Sequence, residues 1–155
     1  MAMIGLIQRV SEASVSVHGE IVGKIGTGIL ALMAVEPGDT EATARKLMER
    51  IAAYRIFPDA EDRMNLSLAQ VGGELLLVSQ FTLAADTRKG LRPSFTSAAS
   101  PELGRQLFDR AVAIAQDLLP GKVATGRFGA DMKVALVNDG PVTFYLRFPP
   151  TNANE

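Results

Sequence analysis

A short polar segment that follows an apolar run carries residues suited to catalysis. Residues 74–78 read Glu-Leu-Leu-Leu-Val, which is typical of a buried strand, and Ser79, Gln80, Phe81 and Thr82 come next. The backbone N–H of Phe81 or Thr82 suits an oxyanion that develops on an ester carbonyl, and the two hydroxyls suit its orientation. The alternative is that the hydroxyls occupy the polar face of an edge strand.

A second segment, residues 138–143, reads Asn-Asp-Gly-Pro-Val-Thr and precedes another strand-like run. Its Gly-Pro element, Gly140–Pro141, is of interest because X-Pro bonds are cis in roughly 5% of cases in folded proteins. A cis bond would point both carbonyls in nearly the same direction. They could then bind the ammonium group of one enantiomer and leave no room for the side chain of the other. An ordinary turn between two strands is the alternative.

Few of the residue types and motifs by which catalytic sites are usually recognised occur in this chain. His18 is the one histidine and lies in a predicted hairpin turn, so a Ser-His-Asp triad has no marked base. With no cysteine, a zinc site is disfavoured, whereas a carboxylate-bound magnesium site stays open. The glycine-rich residues 23–28 connect two strands and do not open a helix, which argues against dinucleotide binding. We expect neither a metal nor a cofactor.

The length of 155 residues fits one domain, by the rule of about 100–200 residues per domain. We assign it to residues 1–149 and expect 150–155 to be a flexible C-terminal tail. No signal peptide is visible, and no apolar run approaches the ~18 residues of a membrane span. We therefore expect a soluble, cytoplasmic protein with no membrane partner.

Charge bears on the partners of the chain. The net charge of −1 disfavours a generic nucleic-acid binder and predicts no DNA partner. A local site for the end of an RNA remains open, and Arg88, Lys89 and Arg92 are the candidates for it. A solvated basic loop is the alternative interpretation.

Two segments show the periodicity of amphipathic helices. The first begins at Asp39 or Thr40 and repeats apolar residues over 44–52. The second begins at Ser100, followed by proline at the first helical position, and stops at Pro120. The order of elements predicts an α+β fold: a single domain of mainly antiparallel or mixed β-sheets with two amphipathic helices packed on them. Further predictions are a loop at 61–67, a loop at 87–99, and closing strands at 123–128, 132–138 and 142–148.

Five blocks in the order of this chain resemble the D-aminoacyl-tRNA deacylases, once called D-tyrosyl-tRNA deacylases. The resemblance covers residues 3–148 and includes both polar segments without a departure in either. Residues 89–95 read Lys-Gly-Leu-Arg-Pro-Ser-Phe and match the family's Lys-Gly-x-Arg-Pro-Ser-Phe loop. The other blocks are residues 7–10 with 13–15, and residues 129–132. Five blocks in the right order make the match specific.

The resemblance implies a homodimer with its sites at the subunit interface. The Gly-Pro element of one subunit would reach into the pocket of the other, and Arg9 occupies the place of the arginine that holds this element in its cis arrangement. Residues 79–82 would be the catalytic residues and line the pocket for the terminal adenosine and aminoacyl ester of the tRNA 3′ end. Phe128 and Met132 map near the pocket wall, although large apolar residues usually belong to the core.

The implied reaction is hydrolysis of the ester between a D-amino acid and the tRNA 3′ end. L-aminoacyl-tRNA would be rejected, and achiral glycyl-tRNA would be accepted. One mechanism makes Thr82 the nucleophile, but no base is visible to activate it. The other uses water assisted by the 2′-hydroxyl of the terminal ribose, with protein amides at the oxyanion. We favour the second because it needs fewer catalytic side chains.

Two rival functions follow from the same residues. The first is an editing paralogue that clears a mischarged L-amino acid with a trans Gly-Pro element; Arg9 argues against it, because the resemblance links that arginine to the cis form. The second is a non-catalytic module that binds an RNA end. Turnover at enzyme concentrations far below substrate distinguishes this module from an enzyme.

Overall fold

A computed structural model describes residues 2–149, so the predicted tail at 150–155 lies outside the described residues. The fold is α+β, as predicted, with a six-stranded main sheet and two long helices. The strands are β1 (Met3–Val17), β2 (Glu20–Ile25), β3 (Gly28–Ala34), β4 (Phe57–Pro58), β5 (Met64–Leu66), β6 (Glu74–Ser79), β7 (Val123–Thr125) and β8 (Lys133–Phe148). The helices are α1 (Glu41–Ala53), α2 (Leu68–Val71) and α3 (Pro101–Leu118).

The main sheet has the order β2-β1-β3-β6-β7, with β8 paired to β1. β1 pairs antiparallel with β2, β3 and β8, whereas β3–β6 and β6–β7 are parallel. β3 and β6 lie inside the sheet, and their nearly continuous apolar residues are buried on both faces. The first polar segment therefore follows an inner strand, which rules out the edge-strand interpretation of its hydroxyls.

The two long helices begin where their capping residues predict. Thr40 caps α1 and accepts the Thr43 N–H, and Ser100 caps α3 with its Oγ accepting the Leu103 N–H at 3.2 Å. Both predicted starts are confirmed. The helices pack together on the sheet, since their apolar sides join one core cluster with it. Its helical members include Leu47, Met48, Ile51, Leu107, Phe108, Ala111 and Ile114.

The structure corrects the sequence-based prediction in three places. Short helical turns add to the two predicted helices: α2, capped by Ser67, and a 3-10 turn at Phe81–Ala84. The predicted loop at 61–67 contains β5, which becomes a strand by pairing with β4. The three predicted closing strands are two, because β7 ends at Thr125 and β8 runs unbroken along its long partner β1.

The pairing of β8 with β1 changes register at the Gly-Pro element. Gln8 pairs with Thr143 and Val10 pairs with Asn138, so four residues of β8 lie opposite one residue of β1. Extra residues on one strand of an antiparallel pair form a bulge, which locally disrupts the ladder. The Gly-Pro element is thus carried on a bulge of the strand, not at a turn between two separate strands.

The loop before α1 buries two carboxylates, Glu36 and Asp39, which are 7% and 5% exposed. Asp39 Oδ2 accepts the Glu36 N–H at 2.8 Å, and Glu36 Oε1 accepts the Ala2 N–H at 3.0 Å. Asp39 Oδ1 is buried and has no hydrogen-bond partner in the part of the chain that the structure describes. This burial raises the pKa of Asp39 from 3.8 to about 6.

Asp39→Asn is expected to stabilise the protein at pH 8 by about 2 kcal/mol, and to have little effect at pH 4. Above a folded-state pKa of about 6, the charged carboxylate destabilises the fold. As the pH falls below that value, the folded protein takes up a proton that the unfolded chain does not yet bind, and the destabilisation disappears. Asparagine keeps an oxygen for the Glu36 N–H. Urea unfolding at both pH values measures the effect, and equal stabilisation at both would contradict it.

Candidate active site

The first polar segment lies where β6 ends. Ser79 is the last residue of β6, and the Gln80 N–H donates to the Met33 carbonyl oxygen of the neighbouring strand at 2.7 Å. Phe81 and Thr82 then begin the 3-10 turn, and Gln80 Nε2 donates to Thr82 Oγ1. The first N–H groups of a helical turn have no acceptor within the turn, which suits Phe81 and Thr82 to donate to a ligand.

A cavity of about 480 Å³ opens beside this turn. Four stretches of chain line it: Val35 after β3, the end of β6 with Ser79, Gln80 and Phe81, the segment that leads into α3, and the segment that leads into β8. Thr82, which was also predicted to line the pocket, is not among the lining residues. The volume of the cavity falls in the range of about 300–1,000 Å³ that small-ligand sites occupy. Among the described residues that line it, Asp131 alone is ionisable. The cavity is therefore mostly apolar with a few hydroxyl and amide groups.

Two predicted apolar residues, Phe128 and Met132, form part of the cavity wall. The Phe128 ring lies 6.2 Å from the Phe108 ring and 5.3 Å from the guanidinium carbon of Arg105, both on α3. Met132 packs against Gly126, where an added Cβ would come within 2.7 Å of the methionine sulfur. These contacts hold Phe128 against α3 and Met132 against the residue that follows β7.

Arg9 anchors the Gly-Pro element, whose peptide bond is cis. The Arg9 side chain is 13% exposed, and its Nε donates to the Asp139 carbonyl oxygen at 3.0 Å and lies 3.8 Å from the Asp139 carboxylate. Its Nη1 donates to the Ile56 carbonyl oxygen at 2.7 Å. One guanidinium therefore joins the start of the Gly-Pro element to the segment before β4.

Asn138 forms hydrogen bonds with the residues that follow the same element. Its Oδ1 accepts the Val142 N–H and its Nδ2 donates to Thr143 Oγ1, both at 3.0 Å. The side-chain amide takes the place of strand partners across the bulge, so the polar residues of the second motif have local structural roles. Gly140 itself has φ of +150°, a conformation that favours glycine.

The two predicted parts of the site lie apart within one chain. The Gly-Pro element and Arg9 do not line the cavity beside Ser79. They belong to the pair of strands at the far edge of the sheet, where β8 has β1 as its strand partner. The cavity and the Gly-Pro element are therefore separate features of one chain, with β1 and β3 lying between β6 and β8 in the sheet.

The predicted basic loop contains one paired and two unpaired cations. Arg88 donates from Nε and Nη2 to the two carboxylate oxygens of Asp86, both at 2.9 Å, and this pair lowers the pKa of Asp86 to about 2. Lys89 and Arg92 are exposed and have no ion pair with any residue the structure describes. Arg88 is thus paired within the loop, whereas the charged groups of Lys89 and Arg92 are exposed to solvent.

His18 lies exposed in the β1–β2 turn with φ of +50° and does not line the cavity. Between residues 2 and 149, no three histidine, cysteine, aspartate or glutamate side chains gather as a metal site would require. No helix within the same residues is long and apolar enough to cross a membrane.

Sequence reasoning missed several residues of the cavity wall. Val35 accepts the Ala99 N–H at 3.3 Å, and this bond brings the segment before α3 to the end of β3. Ser100 was predicted as a helix cap, but only tertiary packing places it beside β6. Asp131 could have been identified from the sequence, since it falls within one of the five blocks that resemble the deacylases.

Residues 6–147 match the family described as D-Tyr-tRNA(Tyr) deacylase. The chain belongs to this family. A relative from Methylococcus capsulatus is 65% identical over 148 residues, which cover 96% of each chain, and bears the name D-aminoacyl-tRNA deacylase. A relative from Thioalkalivibrio sulfidiphilus with the same name is also 65% identical, over 96% of this chain and 99% of its own.

Two solved structures resemble this member of the D-Tyr-tRNA(Tyr) deacylase family. One, described as "c-Myc DNA Unwinding Element Binding Protein", has a TM-score of 0.90 and 34% identity, and covers 94% of this chain and 99% of its own. The other, described as a probable eukaryotic D-amino acid tRNA deacylase, has a TM-score of 0.83 over 96% of this chain and 100% of its own. At 18% identity, the second likeness concerns the fold alone.

Proposed function

We propose that this chain hydrolyses the ester bond of D-aminoacyl-tRNA in the cytoplasm and releases free tRNA and the D-amino acid. Family membership and the names of the relatives support the proposal. The observation that carries it is the cavity at the end of β6, which Ser79, Gln80 and Phe81 line beside apolar side chains, next to a 3-10 turn whose first N–H donors, those of Phe81 and Thr82, have no acceptor within the turn. Such donors stabilise an ester oxyanion in a site that excludes water.

In the proposed complex, the cavity holds the terminal adenosine and its aminoacyl ester. The apolar wall of Phe128 and Met132 faces the nucleoside, and Ser79 and Gln80 lie beside the ester. The N–H of Phe81 or Thr82 donates to the developing oxyanion. Binding energy from the nucleoside thereby orients a reaction centre that the protein touches mainly through its backbone.

Water assisted by the ribose 2′-hydroxyl is the proposed nucleophile. Thr82 Oγ1 accepts a hydrogen bond from Gln80 and has no hydrogen bond with a histidine, lysine or carboxylate of the described residues. A hydroxyl without an adjacent base is a weak nucleophile. The attacking water adds to the ester carbonyl carbon, its proton leaves through the 2′-oxygen, and the 3′-oxygen departs with a proton. The products are the free amino acid and the 3′-hydroxyl of the tRNA.

Thr82→Ala is expected to retain kcat/KM for D-tyrosyl-tRNA within about tenfold, because the residue keeps its backbone N–H and loses only an orienting hydroxyl. Single-turnover assays on charged tRNA measure this. A loss of more than about a thousandfold, about 4 kcal/mol of barrier, with fold and tRNA binding intact, would assign the nucleophile to Thr82.

The Gly-Pro element is the proposed source of stereochemical selectivity. It is carried on a bulge, anchored by Arg9 and Asn138, and its two residues are exposed. Inserted into a partner's cavity, its carbonyls would bind the substrate ammonium group and leave no space for an L side chain. Selection by exclusion also implies that glycyl-tRNA, which has no side chain, is accepted.

A homodimer with two shared sites completes this arrangement. The separation of the cavity from the Gly-Pro element within one chain supports it, as does the exposure of the element. Sedimentation equilibrium is expected to give twice the 16.5 kDa mass of the chain. An active protein that stays monomeric at assay concentrations would overturn the shared site.

The function is tested with tRNA charged with D-tyrosine, L-tyrosine or glycine, at protein concentrations far below substrate. Rapid release of D-tyrosine and glycine with the L-ester spared is the expected result. Release of both enantiomers would remove the proposed role of the Gly-Pro element. Release of L-tyrosine alone would indicate an editing paralogue for a mischarged L-amino acid.

A nucleic-acid-binding module without catalysis is the second candidate. The structural neighbour with 34% identity, described as a DNA unwinding element binding protein, favours it. The net charge of −1 does not supply the broad positive field of a sequence-independent DNA binder. Binding of charged tRNA without turnover in the same assay would select this candidate.

A further inference from the structure

A pair of aromatic side chains at the rim of the cavity is exposed to solvent. The rings of Phe81 and Phe95 lie 5.2 Å apart at 52°, and the two residues are 61% and 41% exposed. Aromatic side chains usually bury most of their surface, so an exposed pair marks an interaction site. Phe81 also lines the cavity, so the pair is continuous with it.

The loop that carries Phe95 is held in place at its base. Asp86 and Ser94 exchange backbone hydrogen bonds of 2.7 and 3.0 Å, and Ser97 Oγ donates to the Ala84 carbonyl oxygen at 2.9 Å. These bonds tie both ends of the loop to the 3-10 turn that carries Phe81. The aromatic pair is therefore positioned by the fold.

Two cations belong to the loop that carries Phe95. Lys89 and Arg92 extend from the same loop without an ion-pair partner in the described part of the chain, whereas Arg88 is neutralised by Asp86. An aromatic surface beside unpaired lysine and arginine is the combination with which proteins bind single-stranded nucleic acid: bases stack on the rings, and phosphates contact the cations.

We propose that Phe81 and Phe95 form a stacking platform for an unpaired nucleotide that precedes the terminal one, with Lys89 and Arg92 on its phosphate. The proposal rests on the proposed function, because it takes the terminal nucleotide to occupy the cavity. A strand that leaves the cavity past Phe81 meets the platform next. The platform thus distinguishes an ester on a polynucleotide from an ester on a single nucleoside.

The test compares two substrates, D-tyrosyl-tRNA and the D-tyrosyl ester of adenosine. Phe95→Leu removes the ring, and Phe95→Tyr is the matched control that keeps it. The ratio of kcat/KM for the tRNA to that for the adenosine ester is expected to fall about tenfold in Phe95→Leu, since stacking contributes about 1–3 kcal/mol per base. It is expected to stay near the wild-type ratio in Phe95→Tyr. An unchanged ratio in Phe95→Leu overturns the proposal.

A second measurement is independent of catalysis. Fluorescence anisotropy with a labelled single-stranded RNA ending in CCA gives the affinity of each variant across a salt series. Phe95→Leu is expected to weaken binding about tenfold. Lys89→Gln is expected to lower the slope of log affinity against log salt by about 0.7. Lys122→Gln, at the opposite end of β6, is the control and leaves the slope as it is.

The outcomes separate the platform from the proposed function. If the wild type cleaves neither ester, the deacylase proposal fails, and the RNA-binding series still decides the platform. If Phe95→Leu leaves RNA affinity unchanged, the platform fails even in an active enzyme. If Phe95→Leu instead changes the sedimenting mass of the protein, the aromatic pair is a contact between copies of the chain, and the proposal is overturned.

Discussion

Gly140→Ala is expected to lower kcat/KM for D-tyrosyl-tRNA by about a hundredfold, which corresponds to about 2.7 kcal/mol of barrier. At φ of +150°, an added Cβ would lie 2.5 Å from Val142 Cγ2 and 2.7 Å from the Val142 backbone nitrogen. The backbone nitrogen cannot rotate away as a flexible side chain can. The bulge must therefore shift, and the carbonyls proposed to face the substrate shift with it.

Gly19→Ala is the matched control for this substitution. Gly19 also has a positive φ, of +82°, but an added Cβ would meet nothing within 4 Å. The Gly19→Ala substitution introduces the backbone strain of alanine at a positive φ but no steric clash. Its activity is therefore expected to stay near the wild-type value. Wild-type rates and an unchanged preference for the D-ester in Gly140→Ala would show that the Gly-Pro element is only a bulge.

Arg9→Met is expected to lower the ratio of D-tyrosyl-tRNA to L-tyrosyl-tRNA hydrolysis by about a hundredfold. Methionine keeps the apolar stem but loses the bonds to the Asp139 and Ile56 carbonyl oxygens. Hydrogen bonds from a charged donor contribute about 1.5–3 kcal/mol each, and two of them account for an effect of this size. Without these bonds, the Gly-Pro element loses its anchor on β1.

Arg63→Met is a suitable control, since Arg63 is 79% exposed and lies outside the candidate site. Both enantiomers are assayed for each variant, and thermal unfolding shows whether the fold is kept. A folded Arg9→Met protein that keeps its full preference for the D-ester would contradict the anchoring role. A parallel loss for both esters would indicate damage to the cavity instead of the selective element.

The parts of the fold that local chemistry decides were predictable from the sequence. Thr40 and Ser100 each supply a capping oxygen, and the apolar spacing that follows identifies the buried side of each long helix. The inner strands were predictable because apolar residues covered on both faces leave no alternation, as in β3 and β6. In both cases the signal lies within one element.

The remaining parts depend on contacts between elements. β8 is one strand because β1 is long enough to pair with it on both sides of the Gly-Pro element, and residues 138–143 alone are typical of a turn. β5 exists through its pairing with β4. The 3-10 turn after Ser79 is too short to leave a periodic pattern.

The candidate site also has parts that the local sequence indicates and parts that depend on contacts between elements. The hydroxyls and amide at residues 79–82, and the Gly-Pro element, were conspicuous because core packing does not select them. The cavity itself was not predictable, because Val35 and Ser100 reach it through the packing of α3 against the sheet. The distance between the two motifs within one chain was also invisible in the sequence and follows from the strand order.

The register of β8 against β1 has a consequence for how this strand divides between core and surface. Pairing resumes after the bulge, which adds three residues to β8 relative to β1, and the inward positions remain even-numbered, from Leu136 and Asn138 to Val142 and Phe144. A one-residue slip would turn every following side chain to the other face of the sheet, but the bulge absorbs the extra length locally. The exposed residues of the bulge, Asp139, Gly140 and Pro141, lie outside the core, whereas Val142 is buried. The part of β8 that is proposed to face a substrate is therefore separate from the inward positions that pack in the core.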